Sequence, residues 1–295
     1  MKSRRGPGGF LTAAWVTLLL LGCVQSTPKA SARLHYLGHA SFLMEFSNGI
    51  TVLTDYGESR AYGLNSPIYP LGEIVPHLVT LSHEHADHAG GVLPEGVGLV
   101  LRGDKTFEAE GLTITPIPTY EGNLETPDNV SFLFQLGELR ILHMGDCQAL
   151  ITGLAGGGEE GQEDPGLRER IRQLYPDHYD VALLPIGFVT DILEEATRFA
   201  TLLDADLLIP MHYWTPGDRD TFMGAMEGRR DARGRPYHVS IQEGPGIQVP
   251  AEGTEAQTIQ VLGLTPAPPP HLRSPNPEAD SDPTTPRKQT DRANP

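Results

Sequence analysis

The chain has 295 residues, 39% of them hydrophobic, with 22 basic against 38 acidic residues and a formal charge of -16. That length supports one sizeable core or two small ones. So acidic a surface repels phosphate backbones and argues against nucleic acid as a partner.

The first residues do not read as part of a fold. A basic stretch, MKSRR, precedes the apolar run FLTAAWVTLLLLG, and Cys23 follows at once. The run is shorter than the roughly 20 residues that a permanent membrane helix needs, so residues 1–22 read as a targeting segment. The stretch LLGC resembles a bacterial lipobox. That resemblance implies lipidation of Cys23 and attachment of the exported protein to the cell envelope through its N-terminal lipid. Val24 is not the aspartate associated with inner-membrane retention, which points to the periplasmic face of the outer membrane. An ordinary secretory signal is the fallback. Residues 23–32 then serve as a linker. Cys147 is the one other cysteine, so lipidation of Cys23 leaves no intramolecular disulfide.

Short β-rich runs punctuated by Gly, Pro or Asn come next: FLMEF, TVLTD, HLVTLSH, GLVLRG, LTITPIP, VSFLFQLG and LRILHMGD. The stretch 153–166 reads as an exposed loop. PGLRERIRQL then predicts a helix with Pro165 in its first turn, and TDILEEATRFATLL predicts another, capped by Thr190 or Asp191. DVALLPI and DLLIPMH flank that second helix in a βαβ-like step, and YHVSIQEGPGIQVP predicts a closing hairpin, followed by the strand IQVL. Strand runs with helices outside imply an α/β domain over residues 33–263, with two sheets face to face between helical layers. From Leu264 onward nine prolines and few large apolar side chains predict a disordered tail, 264–295.

The most specific signal is SHEHADH, in which three histidines and two acids fall within His83–His88. His83 and His85 alternate, which places both on one side of an extended segment. Asp87 and His88 begin a helix at DHAGGVL. Imidazole and carboxylate are ligands that borderline ions such as Zn²⁺ prefer. Asp146 closes LRILHMGD and His212 closes the strand DLLIPMH, so both project beyond a sheet and complete a two-metal site.

The ordered set LGHASFLMEF, SHEHADH, IPTYEGN, NVSFLFQLGELRILHMGD, DVALLPIGF and LLIPMHYW resembles the metallo-β-lactamase-fold hydrolases from about Leu34 to Val261. The branch it looks closest to contains ascorbate-6-phosphate lactonase-like proteins and N-acyl phosphatidylethanolamine phospholipase D. The resemblance implies a four-layer αββα sandwich of two mixed sheets. It assigns His83 and His85 to a first metal, Asp87, His88 and His212 to a second, and Asp146 to a bridge between them. One position departs. The branch usually reads IPTYH, with histidine as the first metal's third ligand, and this chain carries Glu121 there. Carboxylate oxygen at that site favours Mn²⁺ or Fe²⁺ over Zn²⁺ more than a third imidazole would.

Near these groups, His39 orients substrate or a ligand or packs in the core, and Asp55 is placed to hydrogen-bond a ligand histidine. His143 reads as packing and Cys147 as a small buried hydrophobe. The loops 56–73 and 211–220, with Tyr213 and Trp214, are candidate pocket walls. Two divalent ions, Zn²⁺ first, imply a hydrolase that uses a metal-bound hydroxide on an ester, lactone or phosphodiester. Asp87 then orients the nucleophile or shuttles its proton. The substrate is a small or lipid-like molecule. Glu121 keeps a second reading open, a non-catalytic or single-metal binding protein on the same fold.

Overall fold

The computed structural model of the chain describes residues 29–63, 67–155, 165–187, 193–250 and 258–269. Strands β1 (Ala32–Gly38), β2 (Ser41–Phe46), β3 (Thr51–Thr54) and β4 (Leu78–Thr80) come first, then the short helix α1 (Ala86–Ala89) and β5 (Leu99–Leu101). Their side chains alternate between two faces. Leu34, Tyr36, Phe42, Met44 and Val52 enter the main core, whereas Leu37, Leu43, Leu53 and Val79 form a smaller cluster on the other side.

Strands β6 (Phe107–Ala109), β7 (Leu112–Thr119), β8 (Asn129–Leu136) and β9 (Leu139–His143) form an antiparallel meander. Helices α2 (Gln148–Thr152) and α3 (Pro165–Leu174) follow. The expected βαβ step is β10 (His178–Pro185), α4 (Leu193–Ala200) and β11 (Asp204–Met211), with the two strands parallel. The run Val181–Leu184 is buried on both faces, as in a parallel sheet covered on both sides. Helix α5 (Pro216–Met226) and strands β12 (Tyr237–Gln242), β13 (Gly246–Val249) and β14 (Ile259–Leu264) complete the domain.

The first sheet has the order β13-β1-β2-β3-β4-β5 and the second β12-β14-β11-β10-β9-β8-β7-β6. Both mix parallel and antiparallel pairs, and the α/β sandwich of two mixed sheets stands as the resemblance implies. Its layer over the first sheet is thin, made of Ile68, Leu71, Ala89, Leu93 and Val97.

Several sequence expectations need correction. YHVSIQEGPGIQVP is no hairpin: β12 joins the second sheet beside β14, and β13 crosses to pair with β1 in the first. The Pro245 carbonyl accepts the Tyr36 N–H at 2.7 Å and so ties the crossing to β1. The expected pocket loop 211–220 contains the start of α5, whose Thr215 and Asp218 form a reciprocal capping box. The domain also runs past residue 263. Ala267, past the end of β14, donates its N–H to Tyr36 O and accepts from His35 Nε2, which ties it to β1. The rest of the tail, the targeting segment with Cys23, most of the loop 153–166 and the Thr190 or Asp191 cap lie outside the described residues.

One glycine sets how closely α1 docks. A Cβ on Gly57 would lie 1.8 Å from the Asp87 carbonyl oxygen, and the Glu58 N–H bonds Ala86 O at 2.7 Å beside it. Gly57→Ala must therefore push α1 away. We expect it to lower stability by about 1–3 kcal/mol, read as a fall in urea midpoint at unchanged m-value. A wild-type midpoint would show that α1 shifts freely.

Candidate metal centre

Six strand ends deliver the candidate residues. His39 follows β1, Asp55 follows β3, residues 82–88 follow β4, Glu121 lies past β7, Asp146 past β9, and His212 directly after β11. The chain bends sharply there. His39 and His212 have φ of 53°, Asp55 38°, and Gly145, just ahead of Asp146, 61°. For a side-chain-bearing residue this left-handed backbone costs free energy that the surrounding structure must supply. Gly145 meets a steric demand as well, because a Cβ there would lie 2.5 Å from Ser82 Cβ.

Hydrogen bonds behind the rings fix their tautomers. Asp55 accepts the Ser82 N–H at 2.7 Å on one oxygen, and the Ser82 hydroxyl at 2.7 Å with His88 Nδ1–H at 2.9 Å on the other. Burial opposes ionisation of Asp55, but the adjacent His88 holds its carboxyl well below the usual range. With its hydrogen given to Asp55, Ser82 Oγ accepts from His83 Nδ1–H at 3.0 Å. His212 Nδ1–H donates to Gly187 O at 2.8 Å. In the neutral rings of His83 and His88, Nε2 is left as an acceptor, and His212 Nε2 lies within hydrogen-bond distance of His88 Nε2.

These three nitrogens turn into one space. His88 Nε2 and His212 Nε2 are 3.0 Å apart. Asp87 Oδ2 lies 3.5 Å from the first and 3.7 Å from the second, and Asp146 Oδ2 lies 3.6 Å from His212 Nε2. Glu121 reaches in from the β7 end, with its two oxygens 3.3 Å from His83 Nε2 and 2.8 Å from His85 Nδ1. Asp128 holds that loop by accepting the Glu121 and Gly122 N–H groups. His83 Nε2, Asp87 Oδ1 and Asp146 Oδ1 are buried without a hydrogen-bond partner. Lone pairs gathered this closely repel unless positive charge lies among them, and this donor set suits a divalent ion. Asp146 groups with His83 and His88, one ring from each half, as a bridging carboxylate would.

The structure thus brings together His83, His85, Asp87, His88, Glu121, Asp146 and His212, the full set expected from the sequence. Two details differ. Strand β4 ends at Thr80, so His83 and His85 sit in a bend, yet both still face Glu121. The helix of Asp87 and His88 is only four residues long and stops at Gly90. His143 donates to Ala40 O and accepts from Gly145 N–H, a packing role as expected. Cys147 is fully buried in the core. Tyr213 is core as well. A cavity of 660 Å³ instead opens on His83, His85 and Glu121, walled by Arg102, Pro118, Pro127 and Val130.

Sequence reasoning missed Ser82 and Asn129. Asn129 accepts the Asp146 N–H at 3.0 Å and donates to Thr119 Oγ1 and Met144 O. Neither residue type advertises a supporting role. The sole cue for Ser82 is its place directly ahead of His83.

The field at the centre is strongly acidic. Burial raises Glu121 to about 8, with Asp146, Asp128 and Asp87 adding to the shift. Burial would lower His212, but Asp146 and Asp87 outweigh it and raise that ring to about 9. Burial and the neighbouring His88 lower His83 to about 2. Both raised groups hold a proton at pH 7 and must lose it to become ligands. Adding Zn²⁺ to chelator-treated protein at pH 7 is therefore expected to release protons from His212 and Glu121. Apparent affinity should rise with pH until both groups are bare, past about 9. Calorimetry in buffers of different ionisation enthalpy counts these protons. A proton count of zero at pH 7 would contradict this account of the field.

Comparison with known proteins identifies relatives of the chain. Residues 33–155 match the family described as the Beta-lactamase superfamily domain. The chain is 31% identical over 234 residues to a UPF0173 metal-dependent hydrolase of Opitutus terrae, covering 74% of this chain and 100% of that one. A UPF0173 metal-dependent hydrolase of Methanopyrus kandleri is 30% identical over 216 residues, covering 62% of this chain and 84% of the relative. A metallo hydrolase from Ignicoccus hospitalis superposes with a TM-score of 0.48 at 19% identity, over 75% of this chain and 100% of that one. The chain belongs to the UPF0173 family of metal-dependent hydrolases, in the metallo-β-lactamase superfamily.

Proposed function

We propose that the enzyme binds two divalent ions and hydrolyses a carbonyl ester or lactone, with a phosphodiester as the less favoured substrate. The observation that carries the two-ion reading is the convergence of the Nε2 atoms of His83, His88 and His212 on Asp87, Glu121 and Asp146. His83, His85, Glu121 and Asp146 would hold the first ion, and Asp87, His88, His212 and Asp146 the second. Such ions, when bound, supply the Lewis acidity that ionises water near neutral pH and stabilises negative charge developing on substrate oxygen.

The chain's own groups do the positioning. Burial opposes ionisation of Asp87, but contacts with His212 and His39 hold its carboxyl well below the usual range. Its unpartnered Oδ1 accordingly stays an acceptor that can orient an attacking water by taking its O–H. Substrate enters through the cavity on the His83 and His85 side, where Arg102 is the one Arg or Lys in the lining and is paired with Glu84. With Glu121 assigned to the first ion, Glu84 and Asp128 still outnumber it. An acidic wall disfavours a charged phosphodiester relative to a neutral carbonyl. The likeness to ascorbate-6-phosphate lactonase-like proteins supports lactone chemistry, whereas the likeness to N-acyl phosphatidylethanolamine phospholipase D keeps a phosphodiester in the comparison. Zn²⁺ suits the second site, and Glu121 shifts the first toward Mn²⁺ or Fe²⁺.

Metal analysis with activity on generic ester, lactone and bis-p-nitrophenyl phosphate substrates tests this assignment. Asp146→Ala is expected to abolish turnover and lower bound metal at both sites, and His212→Ala to empty mainly the second. Glu121→His is expected to raise the share of Zn²⁺, and Glu121→Ala to weaken the first site. Unchanged metal content and rate in Asp146→Ala would refute the two-ion reading. Equal metal in wild type, Glu121→Ala and Glu121→His would make Glu121 a bystander.

The lipobox-like LLGC supports an exported, lipid-anchored enzyme on the periplasmic face of the outer membrane. Two acyl chains on one cysteine give stable attachment where one would not. Cys23→Ser should move the protein to the soluble fraction and stop acyl labelling. Membrane retention with no lipid incorporated would remove this part of the reading.

A further inference from the structure

His39 is fully buried and belongs to neither expected ligand set. Its Nε2–H donates to Asp87 Oδ2 at 2.9 Å, and its main-chain oxygen accepts the His212 N–H at 2.9 Å. The Tyr36 hydroxyl donates to that same oxygen at 2.9 Å. The ring packs 4.0 Å from the His212 ring, centroid to centroid, and meets His88 edge-on. All of this is held on a left-handed backbone with φ of 53°, a conformation unfavourable for a residue of this size unless its contacts fix it.

We propose that His39 is a positioning residue for the second metal site, joining the ligand carried by the first sheet to the ligand carried by the second. Asp87 stands on α1 after β4, and His212 stands at the end of β11. Among the described residues no strand pairing joins these two sheets, so the spacing between the ligands depends on contacts across the sandwich. His39 makes two such contacts from one residue. Its N–H occupies a lone pair of Asp87 Oδ2, which restricts rotation of the carboxylate and leaves Oδ1 unpartnered. Its carbonyl fixes the main chain of His212 just where that chain bends.

A different role is open to a nitrogen so near Asp87, His88 and His212, namely direct ligation. The 2.9 Å approach to Asp87 Oδ2 argues for positioning, because an imidazole N–H pointed at a carboxylate has no lone pair to give an ion.

This inference rests on the two-ion reading, and the test separates the two. His39→Gln keeps an N–H donor on a side chain of similar reach, whereas His39→Leu and His39→Phe remove it. Metal affinity is measured by competition with a chromophoric chelator, the coordination sphere by the visible spectrum of the Co²⁺-loaded protein, and the fold by circular dichroism. His39→Gln should bind two ions with a spectrum close to wild type. The donor-free variants should keep the first ion and lose affinity for the second by about 10- to 100-fold. Wild-type affinity for both ions in a folded donor-free variant would overturn the proposal. Loss of the second ion in His39→Gln as well would overturn it in favour of ligation. Wild-type protein that binds no ion at all would instead defeat the two-ion reading.

Discussion

The centre is governed by one constraint: acceptors face acceptors in a buried space, with positive charge needed between them. Bare imidazole nitrogens 3.0 Å apart and carboxylate oxygens within 4 Å of them cannot satisfy one another as neutral rings and anions. Positive charge must enter, as protons or as metal. The raised His212 and Glu121 are the protonic answer to that demand, and the family's metal dependence is the other. The two answers compete for the same lone pairs. This competition is why ring tautomers set from behind matter so much. Asp55, Ser82 and the Gly187 carbonyl each occupy an Nδ1 or its hydroxyl relay, so a proton cannot move to the far side of a ring and leave the metal face blocked.

Holding acceptors together against their repulsion requires a stiff frame, and the two sheets supply it. Strands β10 and β11 are parallel and buried on both faces, so their ends cannot shift without opening the core. The bends at His39, Asp55, Gly145 and His212 spend conformational free energy at the strand ends, where the chain must turn side chains toward a common point. A regular strand would send alternate side chains to opposite faces. The left-handed residues break that alternation at the place where convergence is required.

Much of this was legible in the sequence because the chemistry is local. His83 to His88 carry four of the seven candidate ligands in one run, and buried strands ending in Asp146 and His212 stand out as apolar runs closed by a polar residue. What the sequence hid is non-local. YHVSIQEGPGIQVP has the alternation and turn residues of a hairpin, and only packing against β1 and β14 decides that its strands go to different sheets. Helix α5 was obscured by its weakly amphipathic, glycine-containing sequence, although Thr215, Pro216 and Asp218 spelled out its start. Ser82 and Asn129 act through hydrogen bonds to residues up to 27 positions away, a relation that spacing cannot reveal. The proline-rich composition after Leu264 likewise gave no sign that Ala267 pairs with Tyr36.

Glu121 changes the balance of the whole centre. With histidine at that position the first ion would rest on three imidazoles and the shared Asp146, and the second on two imidazoles, Asp87 and Asp146. With glutamate each ion would have two imidazoles, one carboxylate of its own and the shared bridge. The two halves would then be alike in donor type, and the centre would carry one more negative charge. A less positive pair of ions polarises water less strongly and attracts anions less strongly. Both consequences accord with the acids that line the cavity and with the uncharged carbonyl substrate proposed above. Asp128 accepts the Glu121 and Gly122 amides and so fixes the main chain that carries Glu121. The Glu121 side chain sets its two oxygens against two different histidines, His83 and His85.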